Sequence, residues 1–144
     1  MRPSDQRGIR FTPIFLLTAF ILIFPSAPHG AVNLAGSEWR PSRIGTSAVS
    51  PEARLFVQFK SAGQLAGYGG CNRFFGQYEI SGNEIRIGPV GATRMACAES
   101  VMALEMAFIS ALAGAKSFRR DKATLVLFNA SGKEQASLIQ TDWD

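Results

Sequence analysis

The sequence predicts an α+β domain, a small antiparallel β-sheet or barrel with one packed α-helix, preceded by an N-terminal signal peptide. Three observations carry this. Short alternating apolar segments, separated by Gly, Ser and Asn turns, recur between residues 33 and 87 and again after residue 123. Only Ala98 to Ala113 shows sustained helical spacing. The first 30 residues differ in kind, with a basic start, an apolar run and a helix-breaking end.

Arg2, Arg7 and Arg10 form the basic region, and Phe11 to Phe24 the apolar one, interrupted by Thr12, Pro13 and Thr18. Pro25 to Ala31 supplies the break and the small residues. The apolar run is shorter than the ~20 residues a spanning helix needs. A cleaved export signal over residues 1–30 is expected, followed by one domain over residues 32–144. An uncleaved inner-membrane anchor and a buried core helix are the alternatives. Cutting after Ala31 leaves His29 three positions back, and cutting after Gly30 leaves Pro28 there. Residues 32–144 can bury enough apolar surface to fold alone, with a thin margin.

Within the domain, Asn33 to Ser47 reads as a strand through Glu38, Trp39 and Arg40, followed by a turn with Pro41 and Gly45. Leu55 to Phe59 reads as a strand with Leu55, Val57 and Phe59 on one face. Ser61–Ala62–Gly63 turns it into Gln64 to Tyr68. Gly67, Gly69 and Gly70 then crowd the chain before Cys71, which points to a bulge or a close backbone approach. Gly76 to Ile80 alternates again and turns through Ser81–Gly82–Asn83 into Glu84 to Ile87. The helix carries Val101, Leu104, Glu105, Phe108, Ile109 and Leu112 on one face and stops near Gly114. Two strands close the domain, Thr124 to Phe128 and Lys133 to Ile139.

The formal charge of +4 overstates how basic the domain is. Three of the basic residues and Asp5 fall in the signal, which leaves 12 Lys and Arg against 10 acidic residues, about +2. The densest basic group, Lys116, Arg119, Arg120 and Lys122, lacks the interleaved aromatic residues of a base-stacking surface. No nucleic-acid partner is expected. Membrane association is expected only through an uncleaved signal. The single histidine, His29, lies at the cleavage junction. Histidine-based nucleophilic triads are therefore not available to the domain. Two cysteines without histidine are too few for a zinc site, and no phosphate-binding glycine motif follows a strand. The expectation is a protein that is not an enzyme and has no cofactor.

Cys71 and Cys97 are the only cysteines. In an exported domain their simplest use is one disulfide. Closing that loop should contribute about 3.5 kcal/mol in the chain-entropy model. Buried free thiols and a redox-active pair are the other readings, although no CxxC motif lowers a thiol pKa. Glu105 falls near the middle of the apolar helix face, where a carboxylate needs a partner. Arg73 and Arg94, each beside a cysteine, are the expected donors, with Arg94 favoured. A functional carboxylate in a pocket and a shifted helix phase are the alternatives. Trp39, Phe56, Phe59, Phe74, Phe75, Tyr78 and Phe108 read mostly as core, the pattern a ligand-lined barrel would also show.

The segments Gly70–Cys71–Asn72–Arg73–Phe74–Phe75–Gly76–Gln77–Tyr78, Ala92–Thr93–Arg94–Met95–Ala96–Cys97–Ala98 and Met102 to Phe108 resemble the META domain of the HslJ-like heat-shock family. The resemblance runs from about Leu34 to Ile139. It implies a small antiparallel sheet or barrel with one helix, exported to the periplasm of Gram-negative bacteria. It places Asn72, Arg73, Thr93, Arg94 and Glu105 in the family motif, as candidate site residues beside the two cysteines. Family members are associated with heat-shock or antibiotic tolerance and, in parasitic protozoa, with motility and virulence. No enzymatic activity is established for the family. HslJ-type proteins often carry a lipid-attachment cysteine after the signal, and this chain has none, so outer-membrane lipid anchoring is not expected. The resemblance implies a non-enzymatic stress-response or envelope-maintenance role, with an unknown protein or small-molecule partner in the cell envelope. The alternatives are a barrel carrying an apolar small molecule and a periplasmic interaction or inhibitor module. A cavity lined by Phe and Leu would favour the carrier. An exposed apolar patch would favour the interaction module.

Overall fold

Hairpins between successive alternating segments build most of the sheet. The computed structural model describes Gly8 and residues 32–141. The signal expected over residues 1–30 lies, apart from Gly8, outside the described residues. No helix among the described residues is long and apolar enough to cross a membrane. The strands are β1 (Ser37–Ile44), β2 (Ser47–Ala48), β3 (Phe56–Phe59), β4 (Gln64–Tyr68), β5 (Arg73–Ser81), β6 (Glu84–Ile87), β7 (Gly91–Ala92), β8 (Ser117–Asp121), β9 (Thr124–Phe128) and β10 (Glu134–Thr141). One helix, α1 (Glu99–Gly114), separates β7 from β8.

The pairing order is β10–β9–β8–β6–β5–β4–β3–β1, and β1 pairs back onto β10. Eight antiparallel strands therefore close into a barrel, with β2 and β7 as short additions to β1 and β5. The closing seam matches Glu38 with Thr141 and Ile44 with Ala136, with an irregularity between Pro41 and Arg43. Proline has no N–H to give to a ladder, which is why it sits at such a break. The strand nevertheless continues through Pro41 to Ile44, where the sequence reading places a turn. Arg43 meets Glu134 across the seam at 3.0 Å. The Ser137 hydroxyl donates to the Glu134 carboxylate at 2.7 Å. This bond and the Arg43 charge hold the Glu134 carboxyl below its usual pKa.

The sequence reading misses β8. Its residues are Ser117, Phe118, Arg119, Arg120 and Asp121, and only Phe118 is buried. One inward apolar residue among charged ones gives no visible alternation. The strand forms because β9 templates it from Phe118 opposite Leu127 to Asp121 opposite Thr124. Its arginines serve the fold. The Arg119 guanidinium lies 5.6 Å from the centre of the Phe128 ring, and that of Arg120 lies 5.2 Å from the Trp39 ring. Arg120 also donates to the Asn33 carbonyl and the Gln140 amide oxygen, both at 3.0 Å. Without β8 the sheet could not reach from β6 to β9. The β6–β8 seam is the thinnest in the barrel, with Glu84 opposite Ser117 and two flanking amide bonds, Ile85 to Lys116 and Phe118 to Asn83.

Alternation sends Trp39, Val57, Phe59, Leu65, Phe74, Leu125, Leu127 and Leu138 inward, each at most 2% exposed. The helix touches β1, β9 and β10 on one side and β6 on the other, so it lies across an open end of the barrel. Phe108 and Leu112 point from it into the core and are fully buried. The rings of Phe108 and Phe74 meet edge to face at 5.9 Å, and those of Phe59 and Tyr78 at 5.0 Å. The interior is filled by its own side chains.

Gly67 shows how tight this filling is. A Cβ there would lie 2.2 Å from Phe74 Cζ and 2.4 Å from the Phe56 carbonyl oxygen. The backbone oxygen cannot swing away as a side chain could. Gly67→Ala is expected to destabilise the domain by about 1–3 kcal/mol through overpacking. Urea unfolding measures this, and an unchanged midpoint would mean that the contact relaxes freely.

Candidate functional site

The β4–β5 connection, Gly69 to Asn72, passes beneath α1, and three of its N–H groups converge on Glu105. The backbone amides of Cys71 and Asn72 donate to Glu105 Oε2 at 3.2 and 2.5 Å. Asn72 Nδ2 donates to Oε1 at 2.8 Å. Glu105 is 6% exposed and Asn72 4%. A carboxylate held this way replaces its lost hydration with preformed donors. The local sequence permits it because Gly69 has no side chain. A Cβ at Gly69 would stand 2.4 Å from Glu105 Cγ and 2.5 Å from Oε2. Gly70 adopts φ +100°, a conformation that side-chain-bearing residues rarely take, and so turns the next two amides toward the helix. The Tyr68 hydroxyl donates to the Gly70 carbonyl at 2.8 Å.

Burial of Glu105 follows the expectation, but its partners do not. Neither Arg73 nor Arg94 reaches the carboxylate, and both are exposed. Among the described residues, the ion pair is the surface one between Arg43 and Glu134. The physical reason is strand direction. Arg73 opens β5 between the inward-facing Phe74 and the buried Asn72, so alternation turns it outward. What the sequence reading overlooks is the donor capacity of the loop backbone and of Asn72. The available signal is the glycine pair, which frees amides at the place where the helical carboxylate arrives.

Asn72 joins three segments. Its Oδ1 accepts from the Met95 amide at 2.6 Å and from the Thr93 hydroxyl at 2.9 Å. The Met95 amide can only donate, which fixes the orientation of the Asn72 carboxamide. Its Nδ2 also donates to the Met95 carbonyl at 3.3 Å, and its own carbonyl accepts from the Gly69 amide at 2.9 Å. Thr93 closes the group by exchanging bonds with the Arg73 backbone, accepting at 3.2 Å and donating at 3.0 Å. Cys71 and Cys97 form a disulfide with Cα atoms 6.0 Å apart. The disulfide ties the β4–β5 connection covalently to the segment that enters α1. The motif residues Cys71, Asn72, Thr93, Cys97 and Glu105 therefore form one cluster, while Arg73 and Arg94 border it with side chains in solvent.

The chemistry of the cluster is that of a clamp. Both Glu105 oxygens accept from N–H donors and are thereby used in holding the loop to the helix. Among the described residues, no three His, Cys, Asp or Glu side chains gather closely enough to hold a metal ion. An open cleft of about 530 Å³ borders the clamp, lined by Arg54, Leu55, Tyr68, Gly70, Val101 and Leu104 among others.

Glu105→Ala is expected to leave three buried donors unpaired and to destabilise by about 3 kcal/mol or more. Glu105→Gln is expected to destabilise too, by about 1–3 kcal/mol, because one acceptor becomes a donor facing other donors. Urea melts read both variants, and a glutamine variant within about 0.5 kcal/mol of the parent would contradict the all-donor environment. Cys71→Ser or Cys97→Ser is expected to cost about 2–5 kcal/mol in the same assay. Thiol titration of the denatured, unreduced protein should find no free thiol.

The comparisons with known proteins agree with this geometry. A family model, the META domain, matches residues 32–142. Among solved structures, a Burkholderia xenovorans protein determined by NMR is similar over 98% of this chain and 99% of its own, with TM-score 0.64 and 19% identity. A DUF4847 family protein from Bacteroides vulgatus is similar over 77% of this chain and 96% of its own, with TM-score 0.58 and 16% identity. A further NMR structure shares 20% identity at TM-score 0.59, over 74% of this chain and 90% of its own. At such identities these likenesses concern the fold alone. No curated protein matches the chain. The family match spans the whole barrel, the helix and the clamp, and the chain belongs to the META-domain family.

Proposed function

We propose that this chain is an exported, non-enzymatic META-domain protein that serves stress response or envelope maintenance by binding other proteins. The observation that carries the binding mode is where the apolar surface lies. An apolar-ligand carrier needs space inside the barrel, and that space is occupied by Trp39, Phe59, Phe74 and Phe108, each at most 1% exposed. Large apolar side chains instead stand outside. Phe75 is 59% exposed, Met95 60% and Met106 67%. Phe75 projects from β5 beside the clamp, and its ring covers Gly91 in β7. Exposed aromatic and methionine side chains grouped around a rigid cluster are typical of protein-binding surfaces. Export is supported by the basic and apolar character of residues 1–24 and by the disulfide, which persists in oxidising compartments.

Fractionation with intact-mass measurement tests the compartment. The expected product is periplasmic and begins near residue 31, and full-length protein recovered from cytosol would overturn it. Capture from periplasmic extract tests the binding. Parent protein should retain a partner that Phe75→Ser loses at unchanged thermal stability. Equal capture by both would remove the outer β5 surface from the reading.

A further inference from the structure

We propose that Met95, Met102 and Met106 form a thioether site for a soft monovalent cation, copper(I) or silver(I). Beyond Met1, these are all the methionines in the chain. None of them is used as core filler, the usual role of methionine. They are 60%, 37% and 67% exposed.

Their placement follows from the clamp. Met102 and Met106 are four residues apart on α1, so their Cβ atoms lie about 5–6 Å apart on one face. At about 100° per residue, both fall on the same flank of Glu105. The other flank, with Val101 and Leu104, faces the cleft beside Arg54 and Leu55, which lead into β3, and Tyr68, which ends β4. The methionine flank is the one turned away from that cleft. Met95 is brought to the Glu105 region of the helix by Asn72. Gly91 and Ala92 pair with Phe75 and Phe74, the Thr93 amide bonds the Arg73 carbonyl, and the Met95 amide and carbonyl are both held by Asn72. Asn72 in turn holds Glu105, the residue before Met106, at 2.8 Å. One side chain therefore spans the distance between the loop methionine and the helical pair.

Three thioethers, each on a flexible unbranched stem, can converge on one ion without moving the backbone. Neutral sulfur donors select soft ions such as copper(I) over zinc, calcium or magnesium. The cysteines do not compete, because both sulfurs are in the disulfide. The site needs no redox step, since the ion binds in the oxidation state in which it arrives. The expectation of no metal site considers zinc-type ligands alone, which is why thioethers escape it.

The test is anaerobic titration of the purified chain with copper(I) against a chromogenic chelator. It is paired with silver(I) titration monitored by NMR of methyl-labelled methionine. One ion per chain is expected, with the methyl signals of Met95, Met102 and Met106 all shifting. Met95→Leu, Met102→Leu and Met106→Leu should each weaken binding by about 10–100-fold or more, since loss of an outer-shell partner alone has that effect. Leucine keeps the apolar volume, so the melting temperature should survive in these variants. Phe75→Ser, which tests the protein-binding reading, removes no thioether and should bind the ion as the parent does, so failure of the site is separable from failure of that reading. No saturable binding, unmoved methionine methyl signals, or a triple leucine variant that binds as well as the parent would overturn the proposal. A Met95→Leu variant of parental affinity would overturn the three-ligand assignment.

Discussion

The Glu105 carboxylate, received by the amides of Cys71 and Asn72 and by the Asn72 carboxamide, is the contact on which the upper end of the barrel depends. A buried carboxylate without partners would cost several kcal/mol, more than a domain of this size can readily spare. Two solutions exist in principle, a buried cation or a set of aimed dipoles. A buried ion pair carries a second desolvation penalty, often as large as the attraction it provides. The amide solution adds no second charge. It demands backbone geometry instead, and that demand explains the glycines. Gly69 removes the Cβ that would occupy the carboxylate's place, and Gly70 supplies the positive φ.

This contact also couples local structure to topology. The β4–β5 connection is distant in sequence from α1 and from the Thr93 to Cys97 segment that enters it, and all three meet at Asn72. The disulfide limits how far the first two can separate, and the Glu105 bonds set where the third lies. The helix in turn delivers Phe108 and Leu112 into the barrel, with Phe108 against Phe74. A loss at the clamp is therefore transmitted to the core through the helix and does not remain a local loop defect. The opposite dependence holds at the β6–β8 seam. There the ladder is short, and the closure of the barrel rests on β8 being held by β9 and by its arginines lying over Phe128 and Trp39.

How much was legible in the sequence follows from the kind of signal each element sends. The strands β3, β4 and β6 are readable almost to the residue because each alternates inward and outward over its whole length. Helix α1 is readable because its apolar face is interrupted only by Glu105. Strand β8 is not, since a charged segment with a single apolar residue carries no period of its own and becomes a strand only through its neighbour. Glu105 divides the same way. Its burial is a property of the helix alone and can be read from spacing. Its partners depend on where a distant loop points its amides, which side-chain identity does not encode. Charge complementarity favours Arg73 and Arg94, and strand alternation overrules it by turning Arg73 out of the core. Barrel closure itself, the pairing of β1 with β10, is a long-range contact between the two ends of the domain, and local pattern does not reveal it.

A filled barrel constrains where function can lie. Lipocalin-like architectures bind ligands inside because their interiors are wide enough to leave space. Here the eight strands enclose Trp39, Phe59 and Phe74 and the helix adds Phe108, so inward positions are committed to stability. On the reading proposed here, function resides on outward positions at the clamp end, where irregular segments project side chains beyond the sheet. That end combines rigidity, from the disulfide and the Asn72 bonds, with soft, adaptable methionine side chains. Rigid backbone lowers the ordering cost of binding, and flexible thioethers widen the range of surfaces or ions that can be met. The same Asn72 that satisfies Glu105 on one side presents Met95 on the other. A single buried residue thus links what holds the fold together to the surface available for recognition.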